Sequence, residues 1–220
     1  MSDIQYIAKK SIGVILVLVY MNALFIIFKP EVFTALETLL PIALLSAVIC
    51  IDVAIRPISG HRDRYNRVIV SLAFLLFPFM VALPYYEWHY LTMMYIPNSQ
   101  IFMVSTGIML LLIGSFILLV SRVQIGQYGG GKITIEDNHK LITNGMYKHI
   151  RNPQYLGFIL LFTGYSLSFS SLIVTVVTLL GLFSVFRSRL LLEEKLLLGV
   201  FGEEYVEYKR RTWRLIPRIY

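Results

Sequence analysis

The sequence predicts an all-α polytopic membrane protein, with about six transmembrane helices, a small cytoplasmic β-hairpin and C-terminal interfacial helices. Three observations carry this expectation. Of 220 residues, 57% are hydrophobic and only 15% are charged, against roughly a quarter charged in soluble domains. The mean hydropathy is +0.70. Apolar runs of spanning length recur along the chain, and the basic residues between them fall almost wholly on one side.

A spanning helix needs roughly 20 apolar residues. Four segments reach that length, at about 11–28, 32–55, 67–86 and 99–121. The opening MSDIQYIAKK lacks a small-residue cleavage site and reads as the head of a retained first helix. The stretch 154–187 is too long for one span. Its polar small-residue cluster SLSFSS (166–171) suits a tight helical hairpin, so two short helices are expected there, six spans in all. At the inner interface, Asp52 and Arg56 are i,i+4 neighbours, and a local pair is expected. Glu37 lies one turn before Pro41 without an evident partner.

Basic residues set the orientation. Lys9 and Lys10 precede the first span, and Arg56, Arg62, Arg64 and Arg67 separate the second from the third. Arg122, Lys132, Lys140, Lys148 and Arg151 precede the fifth, and the run from Arg187 to Arg218 follows the last. With six spans all of these share one side, and only Lys29 falls on the other. The segment YYEWHYLTMMYIPN (85–98) has no Lys or Arg and many aromatics, as an outer interface loop would. Both termini are thus expected in the cytoplasm, with the cell (inner) membrane as the location. The net charge of +7 follows from this asymmetry rather than from nucleic-acid binding. Cys50 is the single cysteine, and the four histidines show no i,i+4 pair, so neither a disulfide nor a metal is expected.

Residues 1–121 read as an N-terminal bundle of four spans, and 122–220 as the region that carries chemistry. In the latter, KITIEDNHKLIT has two alternating stretches around a polar turn, the pattern of a β-hairpin. Residues 188–220 are amphipathic and long enough for two interfacial helices joined near Gly202. Gly126, Gly131 and Lys132 have phosphate-loop spacing, but Ile133 stands where Ser or Thr must bind magnesium. An ATPase is rejected.

In GMYKHIRNPQYLGF (145–158), Asn152 followed by Pro153 fits a helix start. Its free N–H groups and dipole, with Arg151 beside them, form an anion site. Tyr147 and Tyr155 add hydroxyls and ring faces. An ordinary capped helix with an interfacial belt would look the same. Further on, Arg187, Arg189, Glu193 and Glu194 stand where the last span ends, with Arg189 and Glu193 on one helix face. Such a pair is either a solvated ion pair or one end of a site for an α-amino acid moiety. In the second case the helix start would take its carboxylate, and Glu193 or Glu194 its ammonium.

HKL (139–141), GMY (145–147), RNPQY (151–155), RSRLLLEE (187–194), FGEEYVEY (201–208) and LIP (215–217) stand in order. This arrangement resembles the isoprenylcysteine carboxyl methyltransferases and their prokaryotic relatives, over about residues 125–217. The resemblance implies S-adenosyl-L-methionine-dependent methyl transfer at the cytoplasmic face, to a lipophilic or prenylated substrate entering from the bilayer. It implies cofactor contacts from the strand His139, Lys140, Leu141 and Ile142, and from Tyr147, Asn152, Pro153, Gln154, Tyr155 and Glu193. Arg189 would face the substrate and Arg151 would support the site. The family has histidine at the position of Asn152, and His149 lies three residues earlier.

Steroid-reductase-like NADPH enzymes share the Arg-His-Pro-Asn-Tyr type of segment. In those a glutamate usually follows the tyrosine and glycine, whereas here Phe158 follows Gly157, and Gln154 replaces their asparagine. An inactive membrane scaffold, marked by Asn152, is the non-enzymatic alternative.

Overall fold

A computed structural model describes residues 3–55, 64–91, 99–129 and 140–216. The described residues are helical almost throughout. In chain order the helices are α1 (Asp3–Met21), α2 (Ala23–Phe28), α3 (Leu36–Ile55), α4 (Arg64–Tyr90), α5 (Gln100–Ile125), α6 (Pro153–Ser168), α7 (Leu172–Phe201) and α8 (Glu203–Arg210). Short 3-10 turns lie at Pro30–Phe33, Gly126–Gly129 and Gly145–Lys148. Among the described residues, α3, α5 and α7 are long and apolar enough to cross a membrane.

Several expectations change. The first apolar run is broken at Asn22, whose buried side-chain amide donates to Leu18 O at 3.0 Å and to Ser46 Oγ on α3 at 3.3 Å. The helical hairpin turns at Phe169–Ser171, inside the SLSFSS cluster, but its second arm is not short. Helix α7 runs for 30 residues to Phe201, so the first expected interfacial helix is its continuation. The chain breaks at Gly202, in the left-handed region at φ +50 that glycine adopts freely. Residues 85–90 are the last turns of α4 rather than a loop, because Tyr85 and Tyr86 pack on Phe25 of α2. Most of the expected β-hairpin, His139 included, lies outside the described residues. Its last residues, Lys140–Thr143, are not in a strand.

Helices α5 and α6 share the most extensive contact. The reason is a glycine every seventh residue on each. A Cβ on Gly107 would lie 2.3 Å from Ser168 N, and one on Gly114 2.4 Å from Leu161 N. From the other side, a Cβ on Gly164 would lie 2.3 Å from Leu111 N. The backbones therefore touch, as small-residue seams allow in membrane helices. Around this pair, Leu45, Ile49, Val81, Leu111, Leu118, Leu161, Phe162 and Tyr165 form one buried core from α3, α4, α5 and α6. Tyr165 adds a bond from its hydroxyl to Val81 O at 2.8 Å.

The helices alternate in direction, which gives the molecule two distinct ends. One gathers Lys10, Ala54, Arg122, Arg151, Glu194 and Arg214 through side-chain contacts. The other gathers Glu87, the α6–α7 turn and the start of α7.

Arg56, the expected partner of Asp52, lies outside the described residues, and among those described Asp52 meets a distant cation. Asp52 Oδ1 accepts from Arg122 Nε of α5 at 2.7 Å, with both side chains buried. Asp52 points into the bundle, where the last turn of α5 meets it. Glu37 is exposed in the first turn of α3, where the helix dipole favours an acid.

Candidate active site

The site end is built on three supports. The first is the turn Gly145–Lys148, held against the last turn of α5. Met146 N donates to Gln124 Oε1 at 2.8 Å, and the Tyr147 hydroxyl donates to Ser121 O at 3.4 Å. Gly145 has φ +58, and a Cβ there would meet Gln124 Cδ at 2.5 Å. The positive φ favours glycine, and a Cβ would also push aside the Gln124 amide that holds Met146 N. Tyr147 is buried, and burial pushes its hydroxyl well above an ordinary phenol. It keeps its proton and accepts from Gln154 Nε2 at 3.1 Å.

The second support is the start of α6. Pro153 takes the first helical position, as Asn-Pro predicts. Asn152 stands at the N-cap position but makes no capping bond with its side chain. Its Nδ2 donates instead to Arg214 O at 3.0 Å, so the amide ties down the C-terminal segment. The neighbouring backbone does the same: Arg151 N donates to Trp213 O at 2.8 Å, and Trp213 N to His149 O at 2.9 Å. The His149 side chain is exposed. Tyr208 donates from its hydroxyl to Tyr147 O at 2.8 Å, and burial pushes that hydroxyl up to about 12.

The third support is α7, where two adjacent glutamates have different surroundings. Glu194 is 6% exposed and faces three cations. Arg214 Nη2 lies 2.8 Å from its Oε2, Arg151 Nε 3.3 Å from its Oε1, and Lys209 Nζ 3.7 Å from its Oε2. Arg151 also reaches Lys209 O at 3.1 Å and Thr212 O. Glu193 keeps 24% side-chain exposure against 7% for Glu194. Its Oε1 accepts from the Tyr155 hydroxyl at 2.6 Å and from Arg189 Nε at 3.0 Å. Arg189 also lies over the Tyr155 ring, 6.0 Å from its centroid.

The structure thus gathers Tyr147, Asn152, Pro153, Gln154, Tyr155, Arg151, Arg189, Glu193 and Glu194 at one end. Lys140 is exposed, and Leu141 and Ile142 are half-buried, in the segment leading to the turn. Gln124, Ser121, Tyr208 and the Thr212–Arg214 strap were missed from sequence. Only Tyr208 had a signal, within FGEEYVEY. An open apolar groove of about 300 Å³, lined by Tyr86, Glu87, Tyr90 and Ile173, lies at the opposite end.

Residues 102–204 match the family of phospholipid methyltransferases. A probable protein-S-isoprenylcysteine O-methyltransferase of Oryza sativa subsp. indica is 35% identical over 115 residues, which cover 51% of this chain and 60% of that protein. By sequence, the C-terminal half is similar to these methyltransferases. The protein-S-isoprenylcysteine O-methyltransferase of Schizosaccharomyces pombe is 30% identical over 111 residues, 50% of this chain and 47% of its own. The chain spans about half to three fifths of the length of these methyltransferases. The fold extends further. The solved structure of the eukaryotic intramembrane Ras methyltransferase ICMT (isoprenylcysteine carboxyl methyltransferase) matches with a TM-score of 0.54 at 19% identity. That match covers 97% of this chain and 76% of the methyltransferase.

Proposed function

We propose that this chain is an integral membrane methyltransferase that uses S-adenosyl-L-methionine and acts on a lipophilic substrate. The favoured acceptor is the carboxylate of a prenylated cysteine. The observation that carries the reading is the contrast between the adjacent glutamates. Glu194 is fully engaged by Arg151, Lys209 and Arg214, whereas Glu193 stays partly exposed, oriented by Tyr155 and Arg189. An α-amino acid moiety needs a carboxylate for its ammonium and an anion site for its carboxylate. Glu193 suits the first. The start of α6, two residues from Tyr155, suits the second through its free N–H groups and dipole. These residues fit the cofactor.

When bound, the cofactor supplies a methyl group on a sulfonium, transferable by in-line displacement. The chain's own residues have to position and shield the reactants, since no covalent or metal step is required. His139–Ile142, Tyr147 and Asn152–Tyr155 would line the cofactor, and Arg189 would face the substrate. Arg151 would support the site through Glu194 and the strap. Tyr147 holds its proton and is no base, which suits an acceptor that arrives as an anion.

The same reading divides the chain into a bundle at 1–121 and a methyltransferase region at 122–220. It takes α1 with α2, then α3, α4, α5, α6 and α7, as six crossings of the cell membrane with both termini cytoplasmic. The alternating directions, and the collection of Lys10, Arg122, Arg151 and Arg214 at one end, support that orientation.

Calorimetry on the purified protein in detergent tests the proposal. S-adenosylhomocysteine should bind and NADPH should not. Glu193→Ala should weaken S-adenosylhomocysteine by about tenfold or more, since an unpaired ammonium costs roughly 1–3 kcal/mol. Binding of NADPH alone would return the reductase reading. Unchanged affinity in a folded Glu193→Ala protein would remove Glu193 from the site.

A further inference from the structure

The Asp52–Arg122 pair takes no part in the proposed chemistry, yet it is among the most buried polar contacts in the molecule. Asp52 is 2% exposed and Arg122 5%, with Nε 2.7 Å from Oδ1. Removing two such ions from water costs several kcal/mol each, and packed apolar residues commonly hold helices together as well or better. Helices α3 and α5 already contribute Leu45, Ile49, Leu111 and Leu118 to a common core. Cohesion alone does not account for the pair. A directed ion pair also fixes the rotation and height of one helix turn against its neighbour, which an apolar seam leaves freer to slide.

The turn fixed in this way is the one that carries the candidate site. Ser121, the residue before Arg122, accepts the Tyr147 hydroxyl with its carbonyl at 3.4 Å. Gln124, two residues after, accepts Met146 N at 2.8 Å. Gly145 packs on the Gln124 side chain so closely that a Cβ would come within 2.5 Å, so the turn cannot shift without moving Gln124. Tyr147 in turn accepts from Gln154 in the first turn of α6. A short chain of contacts thus runs from α3, through the last turn of α5, to the start of α6.

We propose that Asp52 and Arg122 are positioning residues for the cofactor site, through which the N-terminal bundle sets where Tyr147 and Gln154 stand. The proposal rests on the methyltransferase reading for its kinetic consequence, but not for its structural one.

Two measurements on the full chain, in detergent or nanodiscs, test it. Asp52→Glu and Arg122→Lys keep both charges and change only the length or fork of one arm. Asp52→Asn removes a charge. In each, the KM for S-adenosylmethionine should rise by roughly tenfold to a hundredfold, as small misplacements of binding groups do, with a smaller change in kcat. Amide hydrogen exchange in residues 144–150 should rise in the same variants. A merely structural role would reduce the active fraction, lowering apparent kcat with KM unchanged. That result, or unchanged exchange at 144–150 in the folded Asp52→Glu and Arg122→Lys proteins, overturns the proposal. The exchange measurement needs no cofactor. Faster exchange in variants of a parent that binds no S-adenosylhomocysteine would uphold the coupling and refute the methyltransferase reading. Unchanged KM and exchange in a parent that binds it would do the reverse.

Discussion

The carboxylate of Glu87 accepts the backbone N–H of Val174 at 2.8 Å, so the last turn of α4 caps the first turn of α7. The same side chain takes Ile173 N at 2.9 Å and the Ser171 hydroxyl. Ser171 occupies the N-cap position but makes no capping bond of its own. Glu87 therefore satisfies two of the four N–H groups that a helix start leaves unpaired, and places a negative charge at the positive end of the dipole. Glu87→Ala should cost roughly 0.5–2 kcal/mol, read as a lower thermal midpoint in detergent. Glu87→Gln should cost less, because the amide keeps one acceptor. Equal midpoints for Glu87→Ala and the parent would show that the cap is dispensable.

Ser170, one residue before that cap, has φ +57, and its buried hydroxyl has no protein partner. Both features carry a cost that glycine avoids. Ser170→Gly should raise stability by roughly 0.5–1 kcal/mol despite the extra freedom of the unfolded chain. A lower thermal midpoint would mean that the left-handed turn does not persist in solution.

The α5–α6 seam makes a sharper test. Gly114→Ala and Gly164→Ala each push a methyl group to within 2.4 Å of facing backbone, which cannot rotate aside. Each should destabilise by roughly 1–3 kcal/mol or more. Gly13→Ala and Gly199→Ala, with nothing within 4 Å of the new Cβ, should be neutral or slightly stabilising. Indistinguishable midpoints across the four variants would rule out direct backbone contact.

The six-crossing arrangement can be checked by labelling. In a Cys50→Ser background, Arg62→Cys and Arg210→Cys should resist an impermeant external thiol reagent in intact cells, while His89→Cys should react. Labelling at Arg210→Cys but not at Arg62→Cys would require an odd number of crossings between them.

What the sequence revealed here was local. SLSFSS marked a turn because small polar residues cannot continue an apolar span there, Asn-Pro marked a helix start, and Gly202 a break. The partners of Asp52 and Glu87 stayed hidden. Arg56 is one turn from Asp52 and satisfied every local rule, whereas Arg122 becomes its neighbour only once α3 and α5 are packed. Glu87 looked like one polar residue in an aromatic interface, because its task is set by a helix start some eighty residues away. The glycines at 107, 114, 157 and 164 were visible, but their common spacing has meaning only between two antiparallel helices. At the site, the residue types and ion pair were readable, but the different roles of Glu193 and Glu194 were not. Adjacent helix positions point in different directions, and only the strap shows which one meets Arg214.

The strap also changes what is expected of Asn152. Its Nδ2 donates to Arg214 O at 3.0 Å, so the position requires a donor rather than a capping acceptor. Asn152→Asp would cap a helix as well as asparagine does. Here, however, it would set a carboxylate against a carbonyl oxygen and lose the bond. Asn152→Asp should therefore destabilise the protein by roughly 1–3 kcal/mol, read as a lower thermal midpoint, as well as weaken S-adenosylhomocysteine binding. Asn152→His keeps a donor on a ring nitrogen and matches the residue that the resembling methyltransferases carry. It should retain both stability and binding. Limited proteolysis separates the two effects: Asn152→Asp should be nicked faster between Arg210 and Arg214, where the strap is held, and Asn152→His should not. An Asn152→Asp protein that is as stable and protease-resistant as the parent would show that the Arg214 contact does not hold the strap.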